Sequence, residues 1–422
     1  MAGPLLSCAT VLALALAAVA RGQAPDNPAV THAKHVFDLL TMQQFDDVAK
    51  ELNAQMAAAI NASQLRDIWS SIQAQAGNFV SYVDDRVATP SPGVTAVVLG
   101  CRFEKATLNA LVAFDADNRI AGLRLTPRQN PAPPATPPPS NRFTEEAVTV
   151  GSGGWQLPGT LTLPIGPIAA AVVLVHGSGP NDRNETIGAN APFRDLAWGL
   201  GDRGIAVLRY DKRTRVYGAR MAGDTSMTVR EETTDDALRA VSLLRHHDRI
   251  DPRRIVVLGH SLGGNLAPRI AAEDSSLAGI VIMAGSTRPL LESAREQLAY
   301  LSSLNPGTIN QEQALQSLRK AAPDSYWKDL DAYKPAETAA HLTLPILILQ
   351  GERDYQVTPA DLRGWREALG NHPNVTIKTY PTLNHLFMPG EGTSTPAEYQ
   401  QPSHIPDFVL DDIGGWIKQS VH

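Results

Sequence analysis

Three side chains in the later two thirds of the sequence have the types and spacing to make a reactive hydroxyl. Ser261 lies in Gly259-His260-Ser261-Leu262-Gly263-Gly264, between an apolar, β-branched run (Ile255 to Leu258) and small and apolar residues at helical spacing. A strand, a glycine-lined turn and a helix in that order strain the serine backbone and lift its Oγ clear of the sheet. The helix N-terminus beneath it favours developing negative charge. A serine hydroxyl is a weak nucleophile at neutral pH and needs a base, itself oriented by a carboxylate. Asp354 follows an apolar run that ends at Gly351, so it stands in the loop at a strand's C-terminal end and is preferred to its neighbour Glu352. His385 follows the next run, Val375 to Thr379, and is preferred to His404, which lies in a Pro-rich tail. An oxyanion would need backbone N–H donors. Leu262 offers one, and the loop His176-Gly177-Ser178-Gly179-Pro180 offers the other, from Ser178 first and Gly177 second.

The elements that must position these residues read as alternating strands and helices. Ala169 to Val175, Gly204 to Leu208, Arg254 to Leu258, Leu277 to Met283 and Pro345 to Leu349 are largely apolar runs and Val375 to Thr379 is a further strand, with helical patterns between them. Among those helices, Thr228 to Arg245 reads as one long helix and Arg194 to Leu200 as a shorter one. Unbroken apolar strands alternating with helices predict an α/β class with a mostly parallel sheet covered on both faces. Ala147 to Val150 and Leu157 to Leu163 read as an antiparallel pair ahead of it. The stretch from Met283 to Pro345 is too long for a simple connection. Its helical segments (Leu290 to Leu304, Glu312 to Ala321, Tyr326 to Tyr333) predict a cap at about 287–342. Tyr300, Tyr326 and Trp327, with His260 and Tyr355, are candidates to line a substrate pocket; cap core is the competing reading for the first three. Pro268, inside the helix after Ser261, should cost one backbone hydrogen bond.

The first third has a different pattern. Residues 1–24 read as a secretory signal peptide, with an apolar run from Leu5 to Val19 and small-residue cleavage sites at Ala18-Val19-Ala20 or Gly22-Gln23-Ala24. No Lys or Arg precedes the run, and it is shorter than a spanning helix requires. Cleavage removes Cys8 and leaves Cys101 alone, so the mature chain has no internal disulfide and Cys101 reads as a core thiol. Residues 25–126 read as a small α+β domain. Helical periodicity runs from Ala33 to about Ala76, followed by strands at Val94 to Phe103, Ala106 to Phe114 and Ile120 to Leu125. Residues 127–142 are a proline-rich linker, and the catalytic candidates all fall in 143–422.

Two resemblances follow from these motifs. Phe103-Glu-Lys-Ala-Thr-Leu-Asn109, with Val112 to Asp117 and Ile120 to Leu123, resembles a cystatin-like, cone-shaped domain of uncharacterised function that precedes hydrolase domains in secreted bacterial proteins. His176 to Pro180, Gly259 to Gly263, Gly351 to Asp354 and Asn384-His385 fall in the order of the α/β-hydrolase superfamily over residues 143–422. Gly179 to Glu185, Arg209-Tyr-Asp-Lys-Arg213 and Gln350 to Val357 are similar to secreted bacterial esterase-like hydrolases. The resemblance implies a Ser261–His385–Asp354 triad that cleaves carboxylic esters through an acyl-enzyme. It also implies that Asp182, Arg183 and Asp211 brace the oxyanion loop by ion pairs. Arg213 to Tyr217 departs from the pattern, because relatives carry more glycine there.

Composition narrows the partners. A net charge of −6 gives no basic surface for nucleic acid, and the expected partner is a small-molecule ester with no cofactor or metal. No stable membrane insertion is expected after leader cleavage, and the protein is expected to be exported. Its oligomeric state stays open, with a homodimer through the small domain as one alternative. The alternatives for function are a serine peptidase, amidase or acyltransferase of the same fold, and least of all a non-catalytic binding protein. A prolyl-oligopeptidase-type enzyme usually carries a β-propeller, for which the N-terminal domain is too short.

Overall fold

The computed structural model describes residues 27–91, 94–128, 141–221, 224–304 and 310–421. The expected leader, Cys8 and most of the proline-rich linker lie outside them. Two compact units divide the described chain, one up to residue 128 and one from residue 141.

The first unit opens on helices α1 (Pro28–Thr41), α2 (Phe45–Glu51), α3 (Ala54–Ala59) and α4 (Ala62–Ala76). Asn27 caps α1 by accepting from the Ala29 N–H, and Asn61 and Gln64 close a reciprocal capping box on α4. Strands β1 (Phe79–Ser91), β2 (Val94–Phe103), β3 (Thr107–Phe114) and β4 (Ile120–Pro127) form an antiparallel sheet in sequential order. Residues of β3 alternate between buried and half-buried, and its buried side joins Phe37, Trp69 and Phe103 in one core. Cys101 is fully buried there, and burial pushes its thiol up to about 12. Strand β1 is not anticipated from the sequence because Asp84, Asp85 and Arg86 interrupt its apolar pattern. It lies at the sheet's edge, where charge is tolerated and discourages further pairing.

The second unit is an α/β-hydrolase fold. Among the described residues its eight strands are β5 (Phe143–Val150), β6 (Leu157–Pro164), β7 (Ala170–Val175), β8 (Ile205–Tyr210), β9 (Ile255–His260), β10 (Gly279–Met283), β11 (Ile346–Gly351) and β12 (Val375–Tyr380). They lie in the order β12-β11-β10-β9-β7-β8-β6-β5, parallel from β12 to β8 and antiparallel across β8-β6-β5. The strand order therefore reverses at β7, and the crevice beyond the C-terminal ends of β7 and β9 is a topological switch point.

Helices α5 (Pro192–Asp202), α6 (Arg213–Met221), α7 (Asp235–Arg245), α8 (Leu262–Glu273), α9 (Leu290–Leu304), α10 (Gln311–Lys320), α11 (Asp324–Ala332), α12 (Pro335–Ala340), α13 (Pro359–Leu369) and α14 (Asp407–Ser420) complete the unit. Alternate strand residues go to opposite faces. Val172 and Leu174 pack with α5 and α14, while Ala171, Val173 and Val175 pack with α7, α8 and α13. The expected long helix from Thr228 to Arg245 is present as one continuous helical stretch from Val229, and its first turns, Arg230–Thr234, are widened into a π turn that runs directly into α7. Pro268 sits buried inside an unbroken α8. Between β10 and β11, α9 to α12 fill the expected insertion. Tyr326, Trp327 and Leu330 of α11 pack on Leu262 and Leu266 of α8. Among the described residues no helix is long and apolar enough to cross a membrane.

Candidate active site

Strand β9 passes into α8 through one residue, Ser261, whose φ of 55° and ψ of −115° place a non-glycine residue in a strained region. Two hydrogen bonds hold it: its N–H donates to Met283 O at 2.9 Å, and its carbonyl accepts from the Asn265 N–H at 2.9 Å. The flanking glycines follow from close backbone approach. A Cβ at Gly259 would stand 2.0 Å from Gly263 O, and one at Gly263 would stand 2.1 Å from Val175 O. Leu262 is the first residue of α8, so its N–H has no intrahelical acceptor.

Asp354 stands in the loop after β11 with no side-chain exposure. Its Oδ1 accepts from the N–H groups of Gln356 (2.7 Å) and Val357 (3.0 Å). Its Oδ2 accepts from Gln350 Nε2 at 3.2 Å and faces His385 Nδ1 at 2.7 Å. The loop carrying His385 is fixed from both sides. Asn384 Oδ1 accepts from the Leu386 and Met388 N–H groups, and a Cβ at Gly351 would meet Leu383 O at 2.5 Å. The rivals stand elsewhere: Glu352 is exposed, and His404, with 73% of its side chain exposed, pairs with Asp195.

The loop after β7 lies against the serine, for a Cβ at Gly177 would come within 3.1 Å of Ser261 Cβ. Gly177 is nevertheless corrected as an oxyanion donor, because its N–H is already given to Glu185 Oε1 at 2.6 Å. Ser178 is exposed beside it. Asp182 is also corrected: its carboxylate accepts from the N–H groups of Asn184 and Thr186 and shapes the turn. Arg183 does brace the loop, through a two-pronged pair with Asp211 at 3.0 and 2.9 Å. Burial lowers His176 to about 4, so it is neutral when its Nε2 meets Asp182 O at 3.1 Å. The departure at Arg213 to Tyr217 is built into the structure. Arg213 pairs with buried Asp236, Trp155 lies against Arg213 and Arg220, and the Tyr217 hydroxyl donates to Gln156 O.

His260 is corrected from a pocket lining to a buried position. It is 3% exposed, and its Nε2 donates to His385 O at 2.9 Å while its Nδ1 lies 2.9 Å from Glu185 Oε2. A carbonyl only accepts, so His260 carries a proton on Nε2. Burial works against its charge, and the Glu185 carboxylate outweighs burial, holding the imidazole above its ordinary value. Burial likewise raises Glu185, and His260 outweighs it to hold that carboxyl below its ordinary value. The Nδ1 contact is off the line of a good hydrogen bond, so charge dominates it. Glu185 gave no signal in the sequence beyond its place in a conspicuous polar loop.

Of the remaining pocket candidates, Tyr300 and Tyr355 do border a cleft of about 290 Å³, beside the Asp354 loop. That cleft adjoins Asp354 and not Ser261. Ser261 itself is half-buried, and Ser178 is exposed. Trp327 is corrected to cap core, with its Nε1 donating to Arg319 O, and Tyr326 is buried with its hydroxyl on Glu232 at 2.7 Å.

Comparison with known proteins gives the lineage of both units. Residues 33–123 match a family described as protein of unknown function (DUF3887), and residues 196–409 match the prolyl oligopeptidase family. Esterase EstD of Thermotoga maritima is 39% identical over 90% of this chain and 92% of its own length. Uncharacterized peptidase YtmA of Bacillus subtilis is 23% identical over 42% of this chain and 64% of its own. A solved Pyrococcus furiosus esterase, Pf2001, superposes over 66% of this chain and 92% of its own, at 17% identity and a TM-score of 0.46. A family match over just over half the chain and a relative aligned along nearly its whole length show that the chain is a hydrolase belonging to the prolyl oligopeptidase family.

Proposed function

We propose that the protein is an exported serine carboxylesterase that works through an acyl-enzyme. Ser261 Oγ attacks the ester carbonyl as His385 Nε2 takes its proton, and the carbonyl electron pair moves onto oxygen as an oxyanion. The N–H groups of Leu262 and Ser178 hold that oxyanion. Collapse expels the alcohol, which takes the proton from His385. Water then attacks the acyl-enzyme with His385 as base, releasing the acid and regenerating Ser261. Asp354 keeps the proton on Nδ1, so Nε2 faces the serine as a base, and it stabilises the imidazolium.

The observation that carries this reading is the buried 2.7 Å pair of Asp354 and His385, beside a strained serine at the switch point. The extent of similarity to esterase EstD favours esters. The family's description keeps a second reading, peptide or amide cleavage, in view. Export rests on the apolar leader and its small-residue cleavage sites.

Hydrolysis of p-nitrophenyl esters from acetate to dodecanoate, beside an anilide, tests the chemistry in wild type and Ser261→Ala. A chain-length optimum that disappears in Ser261→Ala is the expected result. Activity that survives the substitution removes Ser261 from its role, and anilide cleavage without ester cleavage moves the assignment to a peptidase. N-terminal sequencing of exported protein should find a start after Ala20 or Ala24, and an uncleaved intracellular chain would refute export.

A further inference from the structure

Lys212 is a buried cation that the proposed reaction does not use. It follows β8, is 2% exposed, and donates from Nζ to Gly177 O at 2.8 Å. Its counter-charge is Glu232 Oε1 at 3.1 Å, and Glu232 Oε2 in turn accepts the Tyr326 hydroxyl. Burying an ion pair is a poor way to stabilise a fold, since apolar groups of the same volume do as well or better. The position of the pair explains it better than its energy.

The Gly177 carbonyl and the Ser178 N–H belong to one planar trans peptide and therefore point in opposite directions. Whatever fixes the carbonyl fixes the N–H. Asn181 Nδ2 also reaches Gly177 O, at 3.2 Å, but as a neutral donor. On its other side, Gly177 gives its own N–H to Glu185. We propose that Lys212 is a positioning residue for the oxyanion hole, orienting the 177–178 peptide and polarising its N–H toward the substrate oxygen. A carbonyl held by a cation draws electron density from its own amide, which makes the attached N–H a stronger donor. Tyr326, on the insertion helix α11, packs against the Leu262 side chain and holds Glu232. The Ser178 donor is thus tied to a buried polar chain that reaches the insertion, and Leu262 shares the apolar cluster at that chain's far end. This inference rests on the esterase reading above.

The test is Lys212→Met combined with Glu232→Gln, so that no buried charge is left alone, beside wild type, Lys212→Gln and Ser261→Ala. Steady-state ester hydrolysis is measured with the affinity for an aryl trifluoromethyl ketone, whose hemiketal oxygen occupies the oxyanion position. Active-site titration with a phosphonate counts competent Ser261. Loss of one oxyanion donor costs roughly 10² to 10³ in kcat, so a disoriented donor should cost about 10- to 100-fold. The expected result is that loss in kcat, an equal loss in ketone affinity, and KM and serine titre within about twofold of wild type. Lys212→Gln, made in the same Glu232→Gln background, keeps a donor without the charge; it should fall between and carries the same comparison if the Lys212→Met variant does not fold. A folded variant with wild-type kcat and ketone affinity overturns the inference, as does a loss confined to KM. A Ser261→Ala enzyme that still turns over would instead sink the esterase reading.

Discussion

Glu185→Gln separates the charge of the buried Glu185–His260 pair from its hydrogen bond. Both groups are almost wholly inaccessible, at 1% and 3% exposure, and the pair ties the loop after β7 to the His385 main chain. Removing one member of a buried ion pair costs about 3–5 kcal/mol when the other stays charged. His260 escapes part of this by losing a proton, at ~1.4 kcal/mol for each tenfold change in its protonation equilibrium. Glutamine still accepts from the Gly177 N–H, so no donor is orphaned. The net loss is therefore about 2 kcal/mol for Glu185→Gln, and Glu185→Ala should add about 1–3 kcal/mol for the stranded Gly177 N–H. The pH dependence has a definite sign. His260 sits above its ordinary 6.5 in the folded enzyme, so its contribution is complete below 6.5 and is lost as pH rises through the raised value. Glu185 sits below its ordinary 4.5, so its contribution is present above 4.5 and is lost only as pH falls through the depressed value. The gap between wild type and Glu185→Gln should be widest from pH 4.5 to 6.5 and narrow toward alkaline pH. Urea unfolding, followed by tryptophan fluorescence from acidic to alkaline pH, measures it. A gap that does not vary with pH, or a Gln variant as stable as wild type, would refute the ion-pair argument.

Other substitutions read out the rest of the site. Asp354→Asn should lower kcat by about 10⁴ with KM little changed, because the imidazole loses its tautomer control; steady-state ester hydrolysis measures this. Gly351→Ala would place a Cβ 2.5 Å from Leu383 O and 2.7 Å from Asn384 O, so the His385 loop must move; kcat should fall about 10²-fold. His404→Ala should leave kcat/KM within about twofold, since an exposed pair contributes little. A large loss there would reopen the choice of base.

What the sequence made legible was whatever is written locally. The elbow is a run of consecutive residues whose glycines are demanded by backbone approaches of about 2 Å, so its chemistry can be read from the string. Asp354 follows the buried, largely apolar β11 and His385 follows the half-buried β12, and in an open parallel sheet that position alone places them at one edge. Strand β1 was illegible for the opposite reason: an edge strand does not need the alternation by which strands are recognised. Residue types mislead where a polar body is buried. His260, Tyr326 and Trp327 have the chemistry of a pocket lining, yet each is turned inward to a partner more than a helical turn away in sequence: Glu185, Glu232 and Arg319.

The connections that no local pattern could find form one chain through space. From the insertion it runs Tyr326, Glu232, Lys212, the Gly177 peptide, Glu185 and His260 to the His385 carbonyl, crossing loops that are distant in sequence. Three of its links end on backbone groups, Lys212 on the Gly177 carbonyl, Glu185 on the Gly177 N–H and His260 on the His385 carbonyl, and the side-chain pairs between them hold those three in place. A nucleophile elbow and a carboxylate-held imidazole can each be built by a short segment, but neither segment sets the distance between them or the aim of the oxyanion donors. That alignment decides the rate, because a misplacement of about 1 Å can cost 10²-fold. The buried pairs are thus better explained by geometry than by stability. Variants along the chain should accordingly lose kcat out of proportion to their loss of folding free energy, whereas substitutions in the apolar clusters beside it should do the reverse.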